Sequence, residues 1–365
     1  MEKLKVEEIK PGMIIGQDIV SPKGQVLAAA GEKLSAQQLL HFSFYGLDKV
    51  EVLDENDEPL NVDTEAPDEF IGETQSWRII NSAEFANFKR AYETCTTKLE
   101  TVIENFIEHQ IPLNDQDILD DIHGVFERHS TGLGIMAMLL NVQGIDTSTY
   151  AHSVNVAIIA RVFGGWLGIT NPEDLDVLTM CGLYHDIGKA LVPNTILTKP
   201  DKLDVKEFAR MCEHPLLGYQ ILKDEQIDRR IKLAALQHHE RGDGSGYPYG
   251  LLRDFTGEFS RIVAIADVYD AMTADRCYRA GICPFEVIAQ FQRVKPGKYD
   301  PEYLPIFLEN IAQSYMHSGV LLSNGMRGKI SMINPQSLSS PLIQMDDGSF
   351  IDLNERRDLY IRACI

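Results

Sequence analysis

The sequence predicts a mainly α-helical protein: a helical bundle with a small N-terminal α+β module and a small C-terminal β module. Residues 150–313 carry successive apolar runs of helical length with almost no strand signal between them. The first 53 residues instead show short apolar stretches cut by Pro-Gly and Lys-Gly. After His317, apolar and polar residues alternate between Asn-Gly, Asn-Pro and Asp-Gly turns, a hairpin pattern. At 365 residues and 44% hydrophobic content, the chain can hold one main core with smaller modules attached.

In chain order, KPGMIIGQDIVSPKGQVLAAAG predicts small strands, and EKLSAQQLLHFSFYGLDKVEVL a helix ending near Gly46 followed by a strand; residues 1–53 form the α+β module. Residues 54–80 open with DENDEPLNVDTEAPDEFIGE, too acidic and too poor in apolar surface to fold alone, and read as a linker. Residues 81–136 form a helical connector in which Phe85, Phe88, Ala91, Tyr92 and Cys95 recur at three- and four-residue spacing, with a break at Pro112. His109, His123 and His129 lie at polar helical positions there and take surface or capping roles. The bundle occupies 137–316 and the β module 317–365.

A net charge of −20 argues against a surface for duplex nucleic acid, which relies on dense Lys and Arg. MEKLKVEEIKPGM lacks the apolar core of a signal peptide, and no apolar run reaches membrane-spanning length, so a cytoplasmic protein without membrane insertion is expected. The six cysteines, Cys95, Cys181, Cys212, Cys277, Cys283 and Cys364, show no CxxC spacing and read as reduced thiols.

Seven bundle residues have the chemistry of metal ligands. His152, His185, His214, His238 and His239 each sit on or at the end of an apolar helical run, the last two being adjacent; Asp186 follows His185, and Asp267 lies inside RIVAIADVYDAM. A carboxylate flanked by Ile, Ala and Val is costly to bury unless it is paired or bound to metal. Nitrogen and oxygen donors without cysteine suit iron, manganese, zinc or nickel, rather than a closed structural zinc site. Seven donors are too many for one ion and fit two ions that share a carboxylate, with Asp186 the natural bridge.

HDIGK (185–189), MCEHPLLGYQIL (211–222), HHERGDGSGYP (238–248) and RIVAIADVYDAMTADRCYR (261–279) resemble the HD-GYP domain, a bacterial branch of the HD phosphohydrolases, over roughly residues 137–313. The resemblance implies an HD-type helical bundle around two or three metals and hydrolysis of cyclic di-GMP. It makes His185, Asp186, His214, His238, His239 and Asp267 metal ligands, with His152 a further one. Gly246, Tyr247 and Pro248 become the loop that names the family and shapes the pocket wall. Matching positions to Arg276 and Arg279 contact the substrate phosphate; these two arginines are three residues apart and share a face if their helix continues. Cys277 stands where the family commonly has proline, and Ser148 where some members place a glutamate for a third metal.

Two metals about 3.5–4 Å apart can activate a bridging water and neutralise phosphoryl charge. Asp186 and Lys189 are the catalytic candidates, with Lys189 also offsetting charge on the scissile phosphate. The expected cofactors are two divalent ions, iron or manganese ahead of zinc, nickel and magnesium. Expected is a phosphodiesterase of bacterial second-messenger signalling that converts cyclic di-GMP to linear pGpG, GMP or both. The rival readings are a cyclic-dinucleotide receptor with slow turnover and a phosphodiesterase for a mixed GMP-AMP cyclic dinucleotide. The flanking modules are assigned to homo-oligomer assembly or to a signalling partner.

Overall fold

A computed structural model describes residues 2–5, 13–15, 19–20, 26–28, 34, 49–52, 75–113, 115–126, 131–142, 148–199, 201–274 and 281–365. The chain divides into two compact units, Met1–Asp68 and Glu69–Ile365.

In the first unit, β1 (Glu2–Lys5) pairs antiparallel with β4 (Lys49–Val52), and β2 (Ile19–Val20) with β3 (Val26–Ala28). Ile15 bridges to Val52, and Ile15, Leu34, Val50 and Val52 are buried, which gives the short apolar stretches their core. The helix expected before Gly46 lies outside the described residues.

The second unit begins with α1 (Gln75–Ile80), so the last residues of the segment expected to be linker are helical. Next comes α2 (Ala83–His109), started by Ser82, whose hydroxyl accepts from the Phe85 amide at 3.0 Å. It ends at Gln110 in the left-handed region, φ 54°, two residues before Pro112. Phe85, Phe88, Tyr92, Cys95, Leu99 and Ile103 are its buried stripe. Two short helices, α3 (Asp115–Phe126) and α4 (Gly132–Val142), lead into the bundle.

At the centre stands α5 (Thr149–Trp166), buried around most of its circumference, packed on α6 (Pro172–Tyr184). A 3₁₀ turn (Ile187–Leu191), α7 (Asn194–Leu197) and α8 (Val205–Met211) follow, the last opened by the Asp204/Glu207 capping box. Then come α9 (His214–Leu222), α10 (Arg229–Gln237), α11 (Glu258–Thr273), α12 (Pro284–Arg293) and α13 (Tyr303–Ser314). Among the described residues, no helix is long and apolar enough to cross a membrane.

The C-terminal residues form β5 (Gly319–Leu322), β6 (Arg327–Asn334), β7 (Ser337–Met345), β8 (Phe350–Asp352) and β9 (Ile361–Cys364), an antiparallel sheet ordered β8-β7-β6-β5-β9. Its β7 packs on α12 and α13, and Val320, Leu322, Ile330 and Ile343 join the bundle's hydrophobic core. Alternation along these strands turns one face onto the helices. Cys95, Cys181, Cys212, Cys283 and Cys364 are free thiols; Cys277 lies outside the described residues.

Candidate metal centre

Five helices bring the seven candidate ligands to one place. His152 comes from the first turn of α5, His185 caps the C-terminal end of α6 and Asp186 follows it. His214 is the first residue of α9, His238 and His239 leave the end of α10, and Asp267 lies within α11. Two glycines allow the close approach. A Cβ at Gly182 would lie 2.4 Å from Cα of Ala157 in α5, and one at Gly188 would lie 2.0 Å from the His214 carbonyl oxygen. The glycine of HDIGK therefore sets how near Asp186 comes to His214.

Most of the rings are oriented by backbone. Nδ1 of His185 is 2.7 Å from the Gly182 carbonyl oxygen, that of His214 is 2.7 Å from the Met211 oxygen, and that of His238 is 3.0 Å from the Ala234 oxygen. A carbonyl only accepts, so each Nδ1 carries the proton and each Nε2 offers a lone pair inward.

These nitrogens fall into two groups around the carboxylates. Asp186, His214, His238 and His239 form one set and His152, His185 and Asp267 the other, each with ligand atoms within 4.8 Å of one another. Asp186 divides its oxygens between them: Oδ1 is 3.2 Å from Nε2 of His214 and 3.6 Å from Nε2 of His238, whereas Oδ2 is 3.3 Å from Nε2 of His185 and 3.7 Å from Nε2 of His152. Asp267 spans the same gap, with Oδ1 3.1 Å from Nε2 of His152 and Oδ2 3.7 Å from Nδ1 of His239.

Burial and charge put these groups in ligating form. Burial raises the pKa of both aspartates, but Lys189 and His185 beside Asp186, and His152 and His239 beside Asp267, outweigh it and hold both well below the usual carboxylate range. Burial pushes His238 down to about 4 and His239 well below its ordinary value, so both are neutral imidazoles. His152 goes the other way: burial lowers its pKa, yet Asp267 and Asp270 raise it to about 9. Nε2 of His185 and Oδ1 of Asp186 are buried without a hydrogen-bond partner, the condition expected of atoms that converge on an ion. The residues present thus fit divalent metal.

Lys189 places Nζ 2.5 Å from Oδ2 of Asp186, and its side chain is one-fifth exposed. The Tyr247 ring stacks on His239, centroids 4.6 Å apart and planes at 28°, so the loop of Gly246, Tyr247 and Pro248 lies against the cluster. Arg276 and Arg279 fall outside the described residues. Ser148 is the N-cap of α5, its hydroxyl accepting from the Ala151 amide at 3.1 Å.

Two buried carboxylates escaped the sequence reading. Asp270, fully buried, has Oδ2 2.6 Å from Nδ1 of His152. Glu240, also buried, accepts from the amides of Tyr249 and Leu251, both at 2.8 Å, and so ties the loop to the end of α10. The signal for Asp270 was present: it follows Asp267 by one helical turn in the same apolar helix, where the same cost of burial applies.

Residues 136–303 match the family model described as HD domain. The cyclic di-GMP phosphodiesterase PA4108 of Pseudomonas aeruginosa is 33% identical over 230 residues, 63% of this chain and 54% of that protein. The 3'3'-cGAMP-specific phosphodiesterase 2 of Vibrio cholerae is 31% identical over 194 residues, 52% of this chain and 37% of that protein. The chain therefore spans about half the length of these curated relatives, or less. Among solved structures, Bd1817, an HDG"Y"P protein from Bdellovibrio bacteriovorus, has a TM-score of 0.51 at 18% identity, covering 84% of this chain and 97% of that one, a likeness of fold.

Proposed function

With residues 136–303 as an HD domain, we propose that the chain is a metal-dependent phosphodiesterase that hydrolyses cyclic di-GMP to linear pGpG, GMP or both. The observation that carries this reading is the division of the Asp186 oxygens between two histidine groups. One carboxylate facing two donor sets is what a pair of cations sharing a ligand requires. The donors are nitrogen and oxygen with no sulfur, which favours iron or manganese ahead of zinc, nickel or magnesium. Ser148 is neutral and already committed to its cap, which supports two ions rather than three.

A bound pair of divalent ions would polarise the attacking water and neutralise charge on the phosphoryl oxygens. His152, His185 and Asp267 would hold one ion, His214, His238 and His239 the other, with Asp186 between them. Lys189, at the rim of the cluster, would offset charge on the scissile phosphate once the metals satisfy Asp186. Tyr247, stacked on His239, covers that side of the cluster and limits access of bulk water. Arg276 and Arg279 are assigned to the phosphate that is not cleaved. The complete set of seven donors favours turnover over a receptor that only binds. The flanking modules are assigned to assembly or signalling contacts.

The name of the Vibrio relative brings a second substrate into play, the mixed GMP-AMP dinucleotide. Protein reconstituted with Mn²⁺ or Fe²⁺ and offered cyclic di-GMP, 3'3'-cGAMP or pGpG in separate chromatographic time courses decides between them. Faster consumption of cyclic di-GMP is expected; preference for 3'3'-cGAMP reassigns the substrate, and no turnover of any of the three ends the enzyme reading.

A further inference from the structure

We infer that Asp270 is a positioning residue for His152, fixing which ring nitrogen faces the metal and thereby the strength of one of the two metal positions. The inference rests on the metal reading of the site. Three of the histidines direct Nδ1 to carbonyl oxygens within four residues of themselves, so their own chain sets the ring. His152 has no such arrangement. Its Nδ1 lies 2.6 Å from Oδ2 of Asp270, on a different helix, and both side chains are buried. As a hydrogen-bond acceptor for Nδ1, the Asp270 carboxylate turns Nε2 of His152 toward Oδ1 of Asp267, 3.1 Å away, and Oδ2 of Asp186, 3.7 Å away, where a metal would take its lone pair.

Two consequences follow from the chemistry. A charged acceptor on Nδ1 makes the imidazole a stronger donor at Nε2 than a carbonyl does. The group of His152, His185 and Asp267 also depends on α11 twice, directly through Asp267 and one turn later through Asp270. In the group of His214, His238 and His239, the rings of His214 and His238 are held by the Met211 and Ala234 carbonyls, and α11 enters through Asp267, 3.7 Å from Nδ1 of His239, rather than through Asp270. Loss of the Asp270 carboxylate should therefore weaken one metal position and spare the other.

The test is direct titration with Mn²⁺ alone of the full chain and of the Asp270→Ala and Asp270→Asn variants, read as heat and as bound metal per chain. The wild-type chain should take two equivalents. Asp270→Ala should keep one with unchanged Kd and bind the other about 10–100-fold more weakly. Asp270→Asn, whose amide oxygen still accepts from Nδ1 but carries no charge, should fall between. Both equivalents unchanged in Asp270→Ala, or both weakened alike, overturns the inference. Should the alanine variant fail to fold, ¹⁵N-histidine spectra of the wild-type chain loaded with Zn²⁺ decide: the proton of His152 belongs on Nδ1, and a proton found on Nε2 contradicts the role. A wild-type chain that binds no metal removes the metal reading first, a result distinct from either variant outcome, and the positioning role falls with it.

Discussion

The ε-ammonium of Lys189 stands 2.5 Å from Oδ2 of Asp186, the carboxylate oxygen that also faces His152 and His185. This contact places a positive charge against the carboxylate that faces both histidine groups. A pair of metals on Asp186 would take over that charge and release the ammonium to meet a phosphate. Lys189→Ala should therefore keep its metal content while kcat falls about 100-fold, the scale for one lost donor to a charged reacting group. Metal analysis beside steady-state kinetics checks this. A loss confined to KM would place the lysine away from the scissile phosphate.

Replacing Arg276 and Arg279 with alanine should raise KM for cyclic di-GMP about tenfold or more and leave bound metal unchanged, since arginine forks grip phosphate through charge-assisted hydrogen bonds. Kinetics of the double variant at fixed metal loading tests it. An unaltered KM returns both side chains to solvent.

Gly246 is needed for contact rather than for backbone freedom. A Cβ there would lie 2.4 Å from the Arg241 amide nitrogen, 2.5 Å from Cα of Glu240 and 2.5 Å from the His239 carbonyl oxygen, all backbone that cannot swing aside. Gly246→Ala should lift the loop, separate Tyr247 from His239 and lower kcat/KM by about 10–100-fold at saturating metal, as small misplacements near reacting groups do. Wild-type kinetics in this variant would show that the loop does not shape the site.

Stability should depend on acid through Asp176. Its Oδ1 lies 2.6 Å from Nη1 of Arg161 and 2.8 Å from Nε2 of His123. Burial raises the carboxyl pKa, but these partners outweigh it and the value lies below the ordinary one of about 4. A depressed folded pKa contributes stability that is present above the unfolded pKa and is lost as pH falls through the folded pKa. Asp176→Asn should thus be less stable than wild type by about 1–2 kcal/mol at pH 7, and the gap should close below pH of about 4. Denaturant melts across that range measure it; a constant gap would assign the cost to packing.

The seven candidate ligands were legible because each is a polar residue set in or at the end of an apolar helical run, where burial demands a partner. His152, His185, His214, His238, His239, Asp186 and Asp267 all meet in space. Their partition into two groups was not legible, because it depends on how α5, α9 and α11 cross, and that is set by contacts such as Gly182 against Ala157 and Gly188 against the His214 carbonyl. Asp270 and Glu240 were missed for a different reason. Both lie beside more conspicuous residues, and their roles appear only when a partner arrives from elsewhere in the chain: His152 for one, the Tyr249 and Leu251 amides for the other. The C-terminal strands were read correctly as hairpins, whereas their packing on α12 and α13 needed the face of each strand to be known.

The central claim is a pair of metals joined by Asp186. Crystals of the chain reconstituted with Mn²⁺ or Fe²⁺, with anomalous scattering collected at the metal edge and metal content measured on the same preparation, test it most directly. Two peaks are predicted, about 3.5–4 Å apart, one beside each Asp186 oxygen. A single peak, or a fully occupied third peak near His152 and Ser148, would contradict it.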